Sequence, residues 1–431
     1  MKKGCFQLAG AAALAIAVFG CGTPSVVRTA LEGDLQSLKQ RIADSQRRGE
    51  LDRDTVRDLA RAVAGREVRS SRGNEAVERV RSVRPCATPL VYVLRDRAKK
   101  LDDAGAEAAI VLYELGKLDR EELVARYAET SSGAWRAVAA RASIQQKDGA
   151  LRRKLIEDPD ERVRRAALYA ALDAHDAADL DTLLESARLD PDSLSRSLAT
   201  RAVGAIGGER AVLGLDDRWA RADPTTRITI VDAWAMPASW AAGGERKLIW
   251  VAESTRGLPS VAAADSIVRK GGSSANLGRA LLARAIAEGT EPERRLAIQL
   301  APTSDPDVKK AIDKASKSDD RQVRVMALAR LVDEPKAHDV SIRALRELAR
   351  GKDQVAVQAR AALAAAQDAS VTSGLTEQLK APSSEHRRLA AVSLLRLGDY
   401  SRAAAGLADD DPEVRTAVAC TVLGEPGTLP D

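Results

Sequence analysis

Aromatic side chains are scarce in this sequence: 5 tryptophans, 5 tyrosines and 2 phenylalanines, 3% of 431 residues. Large rings dominate the centre of a thick globular core, so a chain of this length without them points to thin, repeated layers. Histidine is scarcer still. His175, His338 and His386 are far apart, with no His-x-x-x-His pair and no Cys-x-x-Cys, so no zinc-ligand set is legible and no metal is expected. Gly-x-Ser-x-Gly, Gly-x-x-x-x-Gly-Lys and Ser-x-x-Lys are absent too, which removes the usual nucleophile and phosphate-loop signatures. No catalytic residue and no cofactor is assigned. A one-sided charge is also missing: 67 Lys and Arg are interspersed with 62 Asp and Glu, formal net charge +5. That pattern is a solvated, ion-paired surface and excludes a nucleic-acid footprint. Runs of β-branched alternation are lacking, so the expected class is all-α.

What is present is a repeated helix. Asp158-Pro159 offers a capping carboxylate and a proline suited to the first helical position. Val163, Ala167, Leu168 and Leu172 then follow at the spacing of one helix face. The face is narrow and alanine-rich, so a neighbouring helix can come close, but one such helix buries too little to stand alone. Positions equivalent to Ala167 recur at Ala199, Val231, Ala263, Ala297, Ala327, Ala359, Ala391 and Val418, most of them about 32 residues apart. Asp190-Pro191, Asp223-Pro224, Asp319-Asp320 and Asp409-Asp410-Asp411-Pro412 precede four of these units, and a shorter amphipathic segment precedes each.

These residues resemble the HEAT repeat, whose second helix typically opens Asp-Pro-x-x-Val-Arg-x-x-Ala. The match is good at 158–172 and 409–423, fair at 319–331 and loose elsewhere, and covers roughly 118–424. The resemblance implies an α-solenoid of helical hairpins in which each packs on its neighbours. It also implies a ladder of aspartate–arginine pairs between successive repeats; Asp158 with Arg164 and Asp409 with Arg415 fit that spacing. Gln358 and Arg388 fall where the pattern drifts, so the ladder is not expected to be continuous. Residues 26–117 read as helical but less regular, and 425–431 as a frayed end.

The chain begins Met1-Lys2-Lys3, followed by an apolar stretch from Leu8 to Phe19 and then Gly20-Cys21. About a dozen apolar residues suit a secretory leader better than a membrane span. The end resembles the bacterial lipobox, with Phe19 as a departure. That resemblance implies cleavage after residue 20, acylation of Cys21, a short tether over 21–25, and lipid-anchored residence in the cell envelope, by the outer membrane facing the periplasm. Loss of Lys2 and Lys3 leaves 5 − 2 = +3. Of the remaining cysteines, Cys86 and Cys420 are expected to be unpaired, since a solenoid would hold them many repeats apart.

Four of the five tryptophans, Trp219, Trp234, Trp240 and Trp250, fall within about thirty residues. Trp234 shares the apolar face of Val231 and reads as core. Trp240, between Pro237 and Gly243-Gly244, reads as a loop residue. Trp219, Trp240 and Trp250 are the candidate contacts, because amphipathic rings dominate interface hot spots. The expected function is a non-enzymatic scaffold that binds a protein partner in the envelope. One alternative is an enzyme or cofactor-handling protein, since HEAT-like repeats also occur in phycobilin lyases; the other is a passive spacer. A deep pocket joining polar groups across repeats would favour the enzyme, and a smooth groove the scaffold.

Overall fold

The computed structural model describes residues 24–424. Among them every regular element is helical, and the fold is all-α, an α-solenoid of helical hairpins. The leader, Cys21 and the 425–431 tail lie outside the described residues. No helix among the described residues is long and apolar enough to cross a membrane. The chain divides into two compact units. One holds residues up to Arg72, Ser82–Leu90 and the chain from Leu375 onward; the other holds Gly73–Arg81 and Val91–Gly374. The boundary expected between residues 117 and 118 falls inside the second.

In the second unit the second helices of successive hairpins pack on one another: Gly133–Ala142, Glu161–Ala174, Ser193–Ile206, Pro224–Trp234, Leu258–Lys270, Glu291–Leu300, Arg321–Leu331 and Gln354–Ala365. One apolar core runs through this stack from Ala137 to Leu331. All nine positions of the small-residue register, from Ala167 to Val418, have 0% exposure. The small side chains allow close approach. At Gly204 even a Cβ would meet the backbone of Ala233 at 2.5 Å.

The helix starts carry a correction. Asp158-Pro159 and Asp190-Pro191 do not open their helices. The caps are Asp160 and Asp192, which accept from the backbone N–H groups of Arg162 and Ser195. The earlier aspartates turn back instead: Asp158 accepts from the N–H of Asp160, and Asp190 from that of Asp192. At Asp223-Pro224 and Asp411-Pro412 the cap and proline stand as expected.

Under the hairpin at 149–180 lies a buried charge network. Arg152 and Asp179 both have side-chain exposure of 0%. Arg152 donates from Nε to Asp179, from Nη2 to Asp176 (2.9 Å) and from Nη1 to the Ser143 carbonyl (2.6 Å). Arg153 adds a bond to Asp179 at 3.0 Å. Every guanidinium edge has an acceptor, which is what allows a charge to be buried without a large net cost.

The first unit contradicts the expectation that hairpins meet only their sequence neighbours. The helix Arg53–Ser70 packs along the last helix, Pro412–Leu423. Lys39 pairs with Asp410 at 2.6 Å, and Gln46 donates to the Ser401 carbonyl at 2.6 Å. The final repeat would otherwise expose an apolar flank, as terminal repeats do. The cysteine expectation is overturned here too: Cys86 and Cys420, 334 residues apart, form a disulfide with their Cα atoms 5.0 Å apart. They meet because the segment 82–90 lies within the same unit as the C-terminal repeats.

Two outcomes follow. Asp179→Ala leaves the buried Arg152 charge short of its partner and lowers stability by about 3–5 kcal/mol in denaturant unfolding; a loss below 1 kcal/mol would refute the network's role. Cys86→Ser destabilises the fold in non-reducing buffer by roughly the 2–5 kcal/mol a closed loop contributes, read as a lower thermal midpoint. Dithiothreitol should bring the unsubstituted protein to the same midpoint.

Candidate partner-binding surfaces

The arginine that lies four residues after the helix cap forms the inter-repeat ladder. Its pairing differs from the expected one. Arg164 reaches forward to the carboxylate of Asp190 (2.8 and 3.1 Å) and takes only the backbone oxygens of Asp158 and Pro159 from its own repeat. Arg136 does the same with Asp158 (2.9 and 3.0 Å) and the carbonyls of Thr130 and Ser131. In the first unit Arg387 reaches Asp409 (2.7 and 2.8 Å). The drift at Arg388 is one residue: Arg387 carries the ladder. Gln358 accepts from the Gln322 side chain. The carboxylate that Arg415 bonds comes from Glu67 on the helix Arg53–Ser70, at 2.7 Å. Hydrogen bonding to these carboxylates pushes the guanidinium pKa values of Arg136, Arg164 and Arg387 up.

The tryptophans divide. Trp219 is 6% exposed and Trp234 is fully buried, so Trp219 is a core residue and not a free contact. Trp219 lies 5.5 Å from Trp234 and 6.1 Å, edge-on, from Trp250. Trp250 is 44% exposed and is the ring of this cluster that faces solvent. The Arg227 guanidinium lies 5.2 Å from the Trp219 ring centre. Trp240 is not in a loop: it opens a wide helical turn, Trp240–Gly244, and rests half-buried against the core. Gly243 takes φ 109° there, and at Gly244 a Cβ would meet the Trp234 carbonyl at 2.4 Å, so the turn needs both glycines.

On the second-helix face a groove of ≈ 510 Å³ crosses three successive repeats. Ile228, Leu258, Leu296 and Leu300 give it apolar walls, and Asp232, Asp265, Arg269 and Arg295 converge on it. Asp265 is 4% exposed and pairs with Arg269 at 2.7 Å. Burial pushes the Asp265 carboxyl up from its ordinary value, with Arg269 opposing. Asp232 lines the same groove, and partial desolvation there moves its carboxyl in the same direction, with Arg201 and Arg269 opposing. None of these residues was singled out in the sequence. The available signal was a carboxylate inside the apolar register, with Asp265 two residues after Ala263.

The histidines have separate local roles. His175 ends a helix with φ 51°, His338 Nδ1 lies 2.7 Å from the Val332 carbonyl, and the His386 carbonyl accepts from Gln378. Among the described residues no group of three or more His, Cys, Asp or Glu is placed to share a cation.

The sequence matches no protein-family model and none of the curated proteins. In backbone the chain is similar to an engineered protein at 18% identity and TM-score 0.28, over 86% of this chain and 98% of that one. It is also similar to the karyopherin Kap121p bound to the SUMO protease Ulp1p, at 12% identity and TM-score 0.36, over 89% of this chain. The same karyopherin bound to the extreme C-terminus of the protein phosphatase Cdc14p matches at 14% identity and TM-score 0.35, over 88% of this chain. The chain spans about half the length of the two karyopherin chains, 50% in each case.

Proposed function

We propose that this protein is an exported, lipid-anchored scaffold of the bacterial cell envelope, non-enzymatic, that holds a protein partner along its helical repeats. The observation that carries the binding reading is the groove over three second helices, with apolar walls and a buried carboxylate at its floor. A site built across repeats suits an extended partner segment, because each repeat offers one more set of contacts along the same line. The Cys86–Cys420 bond supports an oxidising compartment, in keeping with export. The anchor rests on Gly20-Cys21 at the end of the leader, where two or three acyl chains, at about 0.8 kcal/mol per buried CH₂, hold firmly.

A second reading draws on the same groove. Two carboxyls with raised pKa values beside arginines are also what a small-ligand or catalytic site uses. Under that reading purified protein binds a small polar molecule from an envelope extract, and no protein crosslinks to the groove.

Three outcomes test the proposal. Leu296→Arg, which puts a charge on the groove wall, abolishes crosslinking of the native partner in affinity purification from envelopes; unchanged recovery would refute the groove as the site. Cys21→Ala moves the protein from the membrane to the soluble fraction; continued sedimentation with membranes would refute the lipid anchor. Asp265→Asn addresses the cost of the buried carboxylate. Its raised folded pKa means a penalty that is present at neutral pH and absent once both states are protonated. The variant therefore melts higher at pH 7, and the difference disappears as pH falls towards about 4. An unchanged midpoint at pH 7 would contradict the assignment.

A further inference from the structure

The arginine ladder is interrupted in the tryptophan-bearing repeats, and the interruption leaves donors with nothing to bond. Where the ladder closes on a side chain of the following repeat, the acceptor stands two residues before that repeat's cap. Asp158, Asp190 and Asp409 occupy this place opposite Arg136, Arg164 and Arg387. Ser318 occupies it opposite Arg294, at 3.3 Å. Opposite Arg196 the place is held by Arg221, a reversal of charge, since the cap of that repeat is Asp223. Opposite Arg227 it is Thr255, whose hydroxyl donates to the Val251 carbonyl.

The consequences are visible in the side chains. Arg196 keeps only the backbone oxygens of Asp190 and Pro191, at 2.7 and 3.1 Å. Arg227 lies over Trp219, and its Nε is buried with no acceptor among the described residues. Arg218, one residue before Trp219, has both Nε and Nη1 buried without an acceptor among the described residues. The helices carrying Arg196 and Arg227 are in contact, with Ser197 Oγ and Thr229 Oγ1 3.3 Å apart. Burial, then the Arg196 charge, holds Arg218 below its usual pKa, and Asp223 opposes weakly. Asp223 itself is committed to capping: it accepts from the backbone N–H and the hydroxyl of Thr226. Asp190 and Asp192 are taken by Arg164 and Arg165.

Guanidinium donors without acceptors are costly, and an oxyanion that brings an oxygen to each guanidinium removes part of that cost. We infer that Arg196, Arg218 and Arg227 form a carboxylate-binding site. It takes an acidic side chain from an extended protein partner, which completes the ladder from outside where the chain's own aspartate is missing. The adjacent Trp250 ring, exposed and edge-on to Trp219, lies in the same cluster and offers an apolar contact beside the charge. The inference rests on the protein-binding reading but not on the second-helix groove, which is lined by other residues.

The test uses the secreted-form chain from residue 22 onward, intact through its C-terminus, with tetraglutamate peptide and inorganic phosphate as separate probes. Binding is followed by tryptophan fluorescence and by calorimetry. The peptide should bind and change the emission of the Trp219–Trp250 cluster. Arg196→Gln with Arg227→Gln should weaken binding roughly tenfold or more, the effect of losing a charge-assisted pair. Arg188→Gln with Arg350→Gln removes the same charge elsewhere and should leave binding within about twofold, since exposed arginines contribute little. Arg221→Asp restores a carboxylate at the ladder place: it should raise the thermal midpoint and abolish peptide binding together. The inference is overturned if the peptide does not bind, if both double variants lose binding equally, or if Arg221→Asp leaves the affinity unchanged. Phosphate binding without peptide binding would overturn the carboxylate assignment. Because Leu296→Arg leaves these arginines untouched, loss of the groove and loss of this site are read separately.

Discussion

The fold depends on how closely one second helix can approach the next. A register of alanine and valine, fully buried at every repeat, brings backbones near enough for polar groups on adjacent helices to meet. That closeness lets a single arginine, four residues past a cap, bridge two backbone carbonyls of its own repeat and a carboxylate of the following one. The apolar contribution per alanine is small, since burial stabilises roughly in proportion to area. The repeats therefore combine thin apolar layers with buried charge, which is fully hydrogen-bonded at Arg152 with Asp176 and Asp179.

A helix in an array held together by neighbour contacts needs a partner on each flank. Among the described residues, the helix Pro412–Leu423 receives one from a segment distant in sequence. Arg53–Ser70 covers its apolar flank, Glu67 provides the missing carboxylate for Arg415, and a disulfide fixes the arrangement. The same logic, left incomplete in the middle of the second unit, produces unpaired arginines next to tryptophan.

Much of the helical pattern was legible in the sequence because a local period wrote it. The series from Ala167 to Val418 marks a buried position on nine helices, and the all-α class follows from it. The cap positions were off by two at Asp158 and Asp190, where proline precedes the helix and the second aspartate of Asp-Pro-Asp does the capping. Trp219 was misassigned as a contact because proximity in sequence says nothing of which helix face a ring occupies. The meeting of Cys86 with Cys420 and of Arg415 with Glu67 could not be read at all, since both are set by packing between segments more than three hundred residues apart. The groove escaped notice for a related reason: Asp232, Asp265 and Arg295 converge only after three helices are stacked.

The proposal to be tested is that helical repeats, joined through the packing of Arg53–Ser70 on Pro412–Leu423, form an exported binding surface. The most direct measurement is a non-reducing peptide map of the protein isolated from its native envelope, read by mass spectrometry. The account predicts a crosslinked pair of peptides containing Cys86 and Cys420, together with an acylated N-terminal peptide beginning at Cys21. Free thiols at both Cys86 and Cys420, with an uncut Met1 leader, would contradict it.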